Sequence, residues 1–138
     1  MHDENAYLLD GISAHAGLFS TAEDFMQICI DFHKSLNSNG ILLSKQSAEE
    51  MISLQFDDGT NRRGLMWQLP GINKTNNLSY KAFGHTGFTG CFTWNEPSIG
   101  GSIVFLSNDI YNGRNHRKLL KYRDGIIDLS LKLLKNEM

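Results

Sequence analysis

Apolar residues recur at helical spacing along Ala22, Phe25, Met26, Cys29, Phe32 and Leu36 and form one stripe. Ser20-Thr21-Ala22-Glu23 precedes the stripe with a hydroxyl at the cap and a Glu three positions on, a capping box that starts a helix running to about Leu36. Asn37-Ser38-Asn39-Gly40 ends it with residues that tolerate left-handed backbone. After the apolar link Ile41-Leu42-Leu43, Ser44 caps a second helix carrying Ala48, Met51, Ile52 and Leu54. The two helices are expected to pack as a pair. Residues 1–19, punctuated by Gly11 and Gly17, read as loop with short apolar pieces.

Beyond the turn-rich Asp57-Asp58-Gly59-Thr60-Asn61 the pattern changes to β-type. Gly64–Leu69 is predicted as a strand ending at Pro70-Gly71, and residues 72–79 as polar loop. A meander follows over roughly 80–87, 90–96 and 100–108, with turns at Gly87–Gly90 and Pro97–Gly100. Ile103 and Phe105 alternate with Val104 and Leu106, so both faces of the last strand are apolar, as in a central strand covered on each side. A terminal helix is predicted over about 114–136, with Leu119, Leu120, Ile126, Ile127, Leu131, Leu133 and Leu134 to pack on the sheet. The fold class is α+β: an antiparallel β-meander with a C-terminal helix packed on it and an N-terminal helical pair. Residues 1–138 form one partial domain, with 1–57 as the helical part and 58–138 as sheet plus C-terminal helix.

The densest chemistry lies in Phe83-Gly84-His85-Thr86-Gly87-Phe88-Thr89-Gly90. Glycines in a strand let the backbone approach a ligand or another segment closely. An imidazole, a hydroxyl and a bare glycine on a strand edge, with exposed N–H groups, suit an anion or oxyanion rim. An ordinary glycine-rich hairpin is the alternative at this point. Elsewhere composition mostly excludes. A net charge of −2 without a basic patch argues against nucleic acid, and the cluster Arg114, His116, Arg117, Lys118, Lys121 and Arg123 reads as a solvated face opening the last helix. No apolar run approaches the roughly 20 residues that span a bilayer. Cys29 and Cys91 read as free thiols, and the five histidines lack metal-ligand spacing. His2 with Asp3 is a ligand pair by letters only, and Asp57-Asp58 lacks the rest of a calcium loop. No metal and no cofactor are expected, and no signal peptide fixes a compartment.

His85-Thr86-Gly87 with its Phe-Thr-Gly continuation resembles the third active-site motif, Lys-Thr-Gly or His-Thr-Gly, of the serine β-lactamase and penicillin-binding-protein superfamily. The likeness points to its class C-like branch of esterases, D-amino peptidases and β-lactamase-related proteins. His2-Asp3-Glu4-Asn5-Ala6 and His15-Ala16-Gly17-Leu18-Phe19-Ser20-Thr21-Ala22-Glu23-Asp24 resemble the segment leading into that family's helical subdomain. Two separated blocks match in the family's order. His15 itself reads more simply as a loop histidine bonded to nearby backbone.

The resemblance implies an acyl-enzyme hydrolase acting on an ester, amide or β-lactam, with His85, Thr86, Gly87, Phe88 and Thr89 on the rim. His85 would meet the substrate carboxylate or the second-motif Tyr, Thr86 would hydrogen-bond the substrate, and an N–H just past Gly87 on the same strand would give half of the oxyanion hole. A His in place of Lys tilts the expectation towards an esterase or peptidase. No Ser has Lys three positions on, so the Ser-x-x-Lys nucleophile is absent from these residues. Tyr7, Tyr80, Tyr111 and Tyr122 all lack the Asn of Tyr-x-Asn, and Ser35-Leu36-Asn37 matches the alternative pattern only at a helix end. The chain is therefore expected to be the C-terminal portion of a larger enzyme, inactive alone, with a non-catalytic truncated paralogue acting as a binding module as the alternative. A last strand deprived of its family neighbour is expected to make the chain a homo-oligomer.

Overall fold

The computed structural model describes residues 3–13, 15–72 and 74–136, and of His116 the backbone alone. His2, one half of the letter-only ligand pair, lies outside the described residues. A short helix, α1 (Glu4–Leu8), stands where loop was expected, because the Asp3 carboxylate caps it by accepting from the Ala6 N–H at 2.8 Å. In α2 (Ala22–Leu36) the cap is Thr21, whose hydroxyl accepts from the Asp24 N–H at 3.1 Å; the Ser20 hydroxyl bonds the Thr21 carbonyl instead. The predicted Ser20–Glu23 box is thus displaced by one residue. The α3 helix (Lys45–Ile52) is capped by Ser44 as the sequence indicates. The link between α2 and α3 is pinned by Asp31, which accepts from the Ile41 and Leu42 amides at 3.0 Å each.

Six strands follow in one antiparallel sheet, ordered as they occur in the chain: β1 (Phe56–Asp57), β2 (Arg62–Arg63), β3 (Gln68–Leu69), β4 (Phe83–Thr86), β5 (Phe92–Glu96) and β6 (Gly101–Phe105). The strand expected over 64–69 is divided. The Gly64 N–H donates to the Trp67 carbonyl at 3.0 Å, Met66 takes a φ of +70°, and the chain turns back so that Arg63 pairs with Gln68. The meander is as read, with shorter strands. The turn between β5 and β6 is a 3-10 turn closed by Gly100 at φ +59°.

The two faces of the sheet carry separate cores. On one, Phe83 is fully buried against Phe32 of α2 (ring centroids 4.9 Å) and Trp67 (5.1 Å), with Ala48 of α3 in the same cluster. On the other, Phe92, Trp94 and Ile103 pack under Ile127 and Leu131 of the terminal helix, α4 (Arg123–Asn136). Helices on both sides explain the two-faced apolar pattern of β6. It is not a central strand: it ends the sheet order, and its outer edge has no strand partner among the described residues. The terminal helix also starts later than predicted. Asp109 accepts from the Lys118 and Leu119 amides at 3.0 Å each, holding residues 114–121 as two 3-10 turns before α4 begins.

Candidate active-site rim

Strand alternation sets the site's geometry. Phe83 and His85 lie on the α2 side of β4, and Gly84 and Thr86 on the α4 side, opposite Trp94 and Phe92. Gly84 is required for packing: a Cβ there would stand 2.2 Å from the Thr93 carbonyl oxygen and 2.6 Å from the Trp94 ring. With Phe83 anchored in the core, β4 delivers His85 exposed and Thr86 half-buried at its free end. Backbone pairing with β3 stops at Gly84, while pairing with β5 continues to Thr86.

His85 Nδ1 lies 2.8 Å from the Thr86 carbonyl and Nε2 lies 3.4 Å from Arg63 Nη1. Carbonyl and guanidinium together assign the Nδ1–H tautomer, with Nε2 accepting. The Thr86 hydroxyl accepts from Gln68 Nε2 at 3.3 Å. The chain then leaves the strand. The Gly87 N–H donates to the Cys91 carbonyl at 2.7 Å and the Gly90 N–H to the Gly87 carbonyl at 3.1 Å, closing a turn over Gly87–Gly90. The amide just past Gly87, that of Phe88, therefore lies in this turn and not on β4 as expected. It has no backbone acceptor among the described residues.

The Phe88 ring is flanked by the guanidiniums of Arg114 and Arg117, each 5.2 Å from its centroid. Arg114 also pairs with Glu4. The Thr89 carbonyl accepts from the Asp109 N–H at 2.8 Å and the Ser107 hydroxyl at 3.1 Å, tying the turn to the segment after β6. Asp109 anchors the backbone just after Arg117: the Lys118 amide, then the Leu119 amide and the charges of Arg117 and Lys118, hold its carboxyl below the ordinary value against an opposing effect of burial. Arg114, Lys118 and Lys121 are exposed, as a solvated cluster would be, but they precede α4 on 3-10 turns, and Arg117 and Arg123 are half-buried. Arg117 and Arg123 line a cavity of about 250 Å³ with Thr86, Gly87 and Phe88.

The five residues named from the sequence lie together on the end of β4 and its turn. Arg63 and Gln68, which touch His85 and Thr86, were missed. Asp109 was missed as well. The His15 ring bonds side chains, Ser13 Oγ and Asp3 Oδ1 (3.1 Å), with no ring bond to backbone among the described residues. Cys29 is buried at 3.5 Å from the Thr93 hydroxyl, where burial pushes its thiol up. Cys91 is half-buried with its sulfur 3.2 Å from the Ser107 carbonyl; both thiols are free. Among the described residues no three His, Cys, Asp or Glu side chains converge to hold a metal, and no helix is long and apolar enough to cross a membrane.

The family model described as "Beta-lactamase" matches residues 1–125. The chain belongs to the beta-lactamase family. Similar proteins include the "N-acetylmuramyl-L-alanine amidase" of Bacillus subtilis (strain 168), 33% identical over 115 residues, which cover 78% of this chain and 26% of that protein. The "Putative D-alanyl-D-alanine carboxypeptidase" of Escherichia coli (strain K12) is 34% identical over 119 residues, 78% of this chain and 26% of that protein. The same-named protein of Salmonella typhi is 32% identical over 118 residues, with the same coverage. The chain spans about a quarter of the length of the curated relatives it matches. The homology is to the β-lactamase and D,D-carboxypeptidase superfamily over most of the chain.

Proposed function

We propose that this chain supplies the third-motif strand and half of the oxyanion hole of a serine acyl-transfer hydrolase in the class C-like, His-Thr-Gly branch of the beta-lactamase family. The observation that carries the reading is the open end of β4. There an exposed His85 imidazole, the Thr86 hydroxyl and the unpartnered Phe88 amide come within one turn of backbone. An amide without an acceptor next to a hydroxyl is the arrangement that a tetrahedral oxyanion needs from one wall of its site. In this reading Thr86 orients the substrate, and His85 Nε2, supported by Arg63, meets the substrate carboxylate or a phenol brought from outside these residues. The names of the relatives favour an amide over an ester as the bond attacked.

The nucleophile is not among these residues, since none of their serines has the Ser-x-x-Lys spacing. The 138-residue chain alone is therefore expected neither to hydrolyse a chromogenic β-lactam or a p-nitrophenyl ester above background, nor to gain mass on incubation with a penicillin or a fluorophosphonate. A covalent adduct on this chain would falsify the assignment of the nucleophile to another segment. The absence of Ser-x-x-Lys and Tyr-x-Asn also favours a second reading, a non-catalytic module that binds ligand or partner through the same rim. An in-frame Ser-x-x-Lys upstream in the gene selects the first reading, and a functional start at Met1 selects the second.

A further inference from the structure

The turn after β4 is held by hydrogen bonds on either side of Phe88. The Gly87 N–H donates to the Cys91 carbonyl at 2.7 Å, and the Gly90 N–H to the Gly87 carbonyl at 3.1 Å. The Thr89 carbonyl accepts from the Asp109 N–H at 2.8 Å and from the Ser107 hydroxyl at 3.1 Å. The Phe88 N–H itself has no backbone acceptor among the described residues. An amide that is to receive an oxyanion must stay unpaired until the oxyanion forms, so no hydrogen bond of its own can orient it beforehand. Its direction has to be set through its neighbours and its side chain.

The Phe88 side chain carries two such constraints. The guanidiniums of Arg114 and Arg117 both lie over its ring, each 5.2 Å from the centroid. Cations at that distance are attracted by the ring's π-electrons. The ring is 44% exposed, so burial alone does not immobilise it. Two like charges over one ring repel each other, and each meets a carboxylate. Arg114 pairs with Glu4, the first residue of α1, and the charge of Arg117 acts on Asp109. The backbone just after Arg117 is fixed as well, since the Asp109 carboxylate accepts from the Lys118 and Leu119 amides at 3.0 Å each.

We infer that Arg114 and Arg117 are positioning residues: by holding the Phe88 ring they keep the Phe88 amide directed at the oxyanion's place beside Thr86. The inference rests on the acyl-transfer reading of this rim. Both guanidiniums act through Phe88. An aliphatic side chain at that position offers the cations no π-electrons and loses the hold. Glu4 extends the hold to α1, so a residue 110 positions earlier in the chain than Arg114 helps to set the rim.

Two measurements separate the hold from the chemistry. In the 138-residue chain, NMR relaxation reads the order of the Phe88 amide. The order parameter should be near the rigid-backbone value of about 0.85 in the wild type and fall towards about 0.6 in Phe88→Leu and Arg114→Gln, with Arg114→Lys recovering part of the loss. In the polypeptide that joins this chain to a Ser-x-x-Lys segment, Phe88→Leu should lower kcat about five- to thirtyfold, the scale of two lost cation–π contacts, and Arg114→Gln about two- to fivefold. KM should change little, because the oxyanion exists only in the transition state and the intermediates; a merely structural role would move KM and the melting temperature together with kcat. Phe88→Tyr keeps the ring and should recover most of what Phe88→Leu loses. Phe88 and Arg114 are both exposed, so these variants are expected to fold. An amide equally ordered in wild type, Phe88→Leu and Arg114→Gln overturns the hold. Order that falls while kcat stays at the wild-type value overturns its service to the oxyanion. An inactive wild-type polypeptide counts against the acyl-transfer reading instead, and the order of the amide still decides the hold.

Discussion

Glu96 is a buried carboxylate whose loss should destabilise the fold. It is 3% exposed at the end of β5, and its charge acts on the imidazole of His33. Its hydrogen bonds are four: Oε2 accepts from the Ser79 N–H at 2.6 Å, and Oε1 from the Ser79 hydroxyl at 2.7 Å, the Ser98 hydroxyl at 2.6 Å and the Ser98 N–H at 3.2 Å. Burial pushes this carboxyl up, but the Ser98 and Ser79 hydroxyls and the two amides outweigh it and leave it below its ordinary value. These bonds tie the loop that enters β4 to the turn that leaves β5. In Glu96→Gln one amide N–H must oppose the new NH₂ group whichever way the side chain is turned. A partly buried donor left opposed costs about 2–3 kcal/mol. With a urea slope of about 1.5 kcal/mol/M, the unfolding midpoint at pH 7 should fall by about 1.3–2 M. The sign with pH follows from the lowered value. Glu96 stabilises the fold fully above its unfolded value of about 4.5, and that contribution is lost as pH drops through the lower folded value. Urea melts of both proteins from pH 7 to pH 3.5 should therefore show a gap that closes below about 4.5. Equal midpoints at pH 7, or a gap that stays constant to pH 3.5, would refute the reasoning.

Gly84→Ala forces a Cβ to 2.2 Å from the Thr93 carbonyl and should cost at least about 3 kcal/mol, read as a lowered melting temperature or failure to fold. His33 lies 3.1 Å from the Ser102 hydroxyl, which itself donates to the buried Asn95 at 2.8 Å; burial holds the imidazole below its ordinary 6.5. Stability should accordingly be flat above about pH 6.5 and fall below it, and His33→Gln should flatten that limb in melts between pH 5 and 8. The unpaired outer edge of β6 should draw a second copy onto it, so light scattering at micromolar concentration should report a dimer; a stable monomer of 15.5 kDa would mean that the edge is protected.

The helices α2 and α3 were legible because each has a 3.6-residue apolar stripe behind a hydroxyl cap. The cap of α2 was misplaced by one residue because Ser20 and Thr21 satisfy the same rule and only the backbone path chooses between them. Strands of two residues, such as Arg62–Arg63 and Gln68–Leu69, show no alternation, and Gly64–Leu69 hid a turn within an apolar run. The late start of α4 follows from Asp109, whose partners lie nine and ten residues further on. His85, Thr86 and Gly87 stood out because glycines bracket a titratable residue on a strand. Arg63 and Gln68 did not, since register across two short strands places them there. The guanidiniums over Phe88 are likewise visible only in three dimensions.

The account rests on His85 standing at the rim of an acyl-transfer site. Its most direct test is kcat/KM of His85→Ala in the polypeptide that joins this chain to a Ser-x-x-Lys segment, measured on a D-alanyl amide and on an ester from pH 5 to 9. A loss of about ten- to a thousandfold is predicted, the range for removing one electrostatic or proton-transfer contact, with a smaller loss for Thr86→Ala. Wild-type kcat/KM across that range in His85→Ala would contradict it.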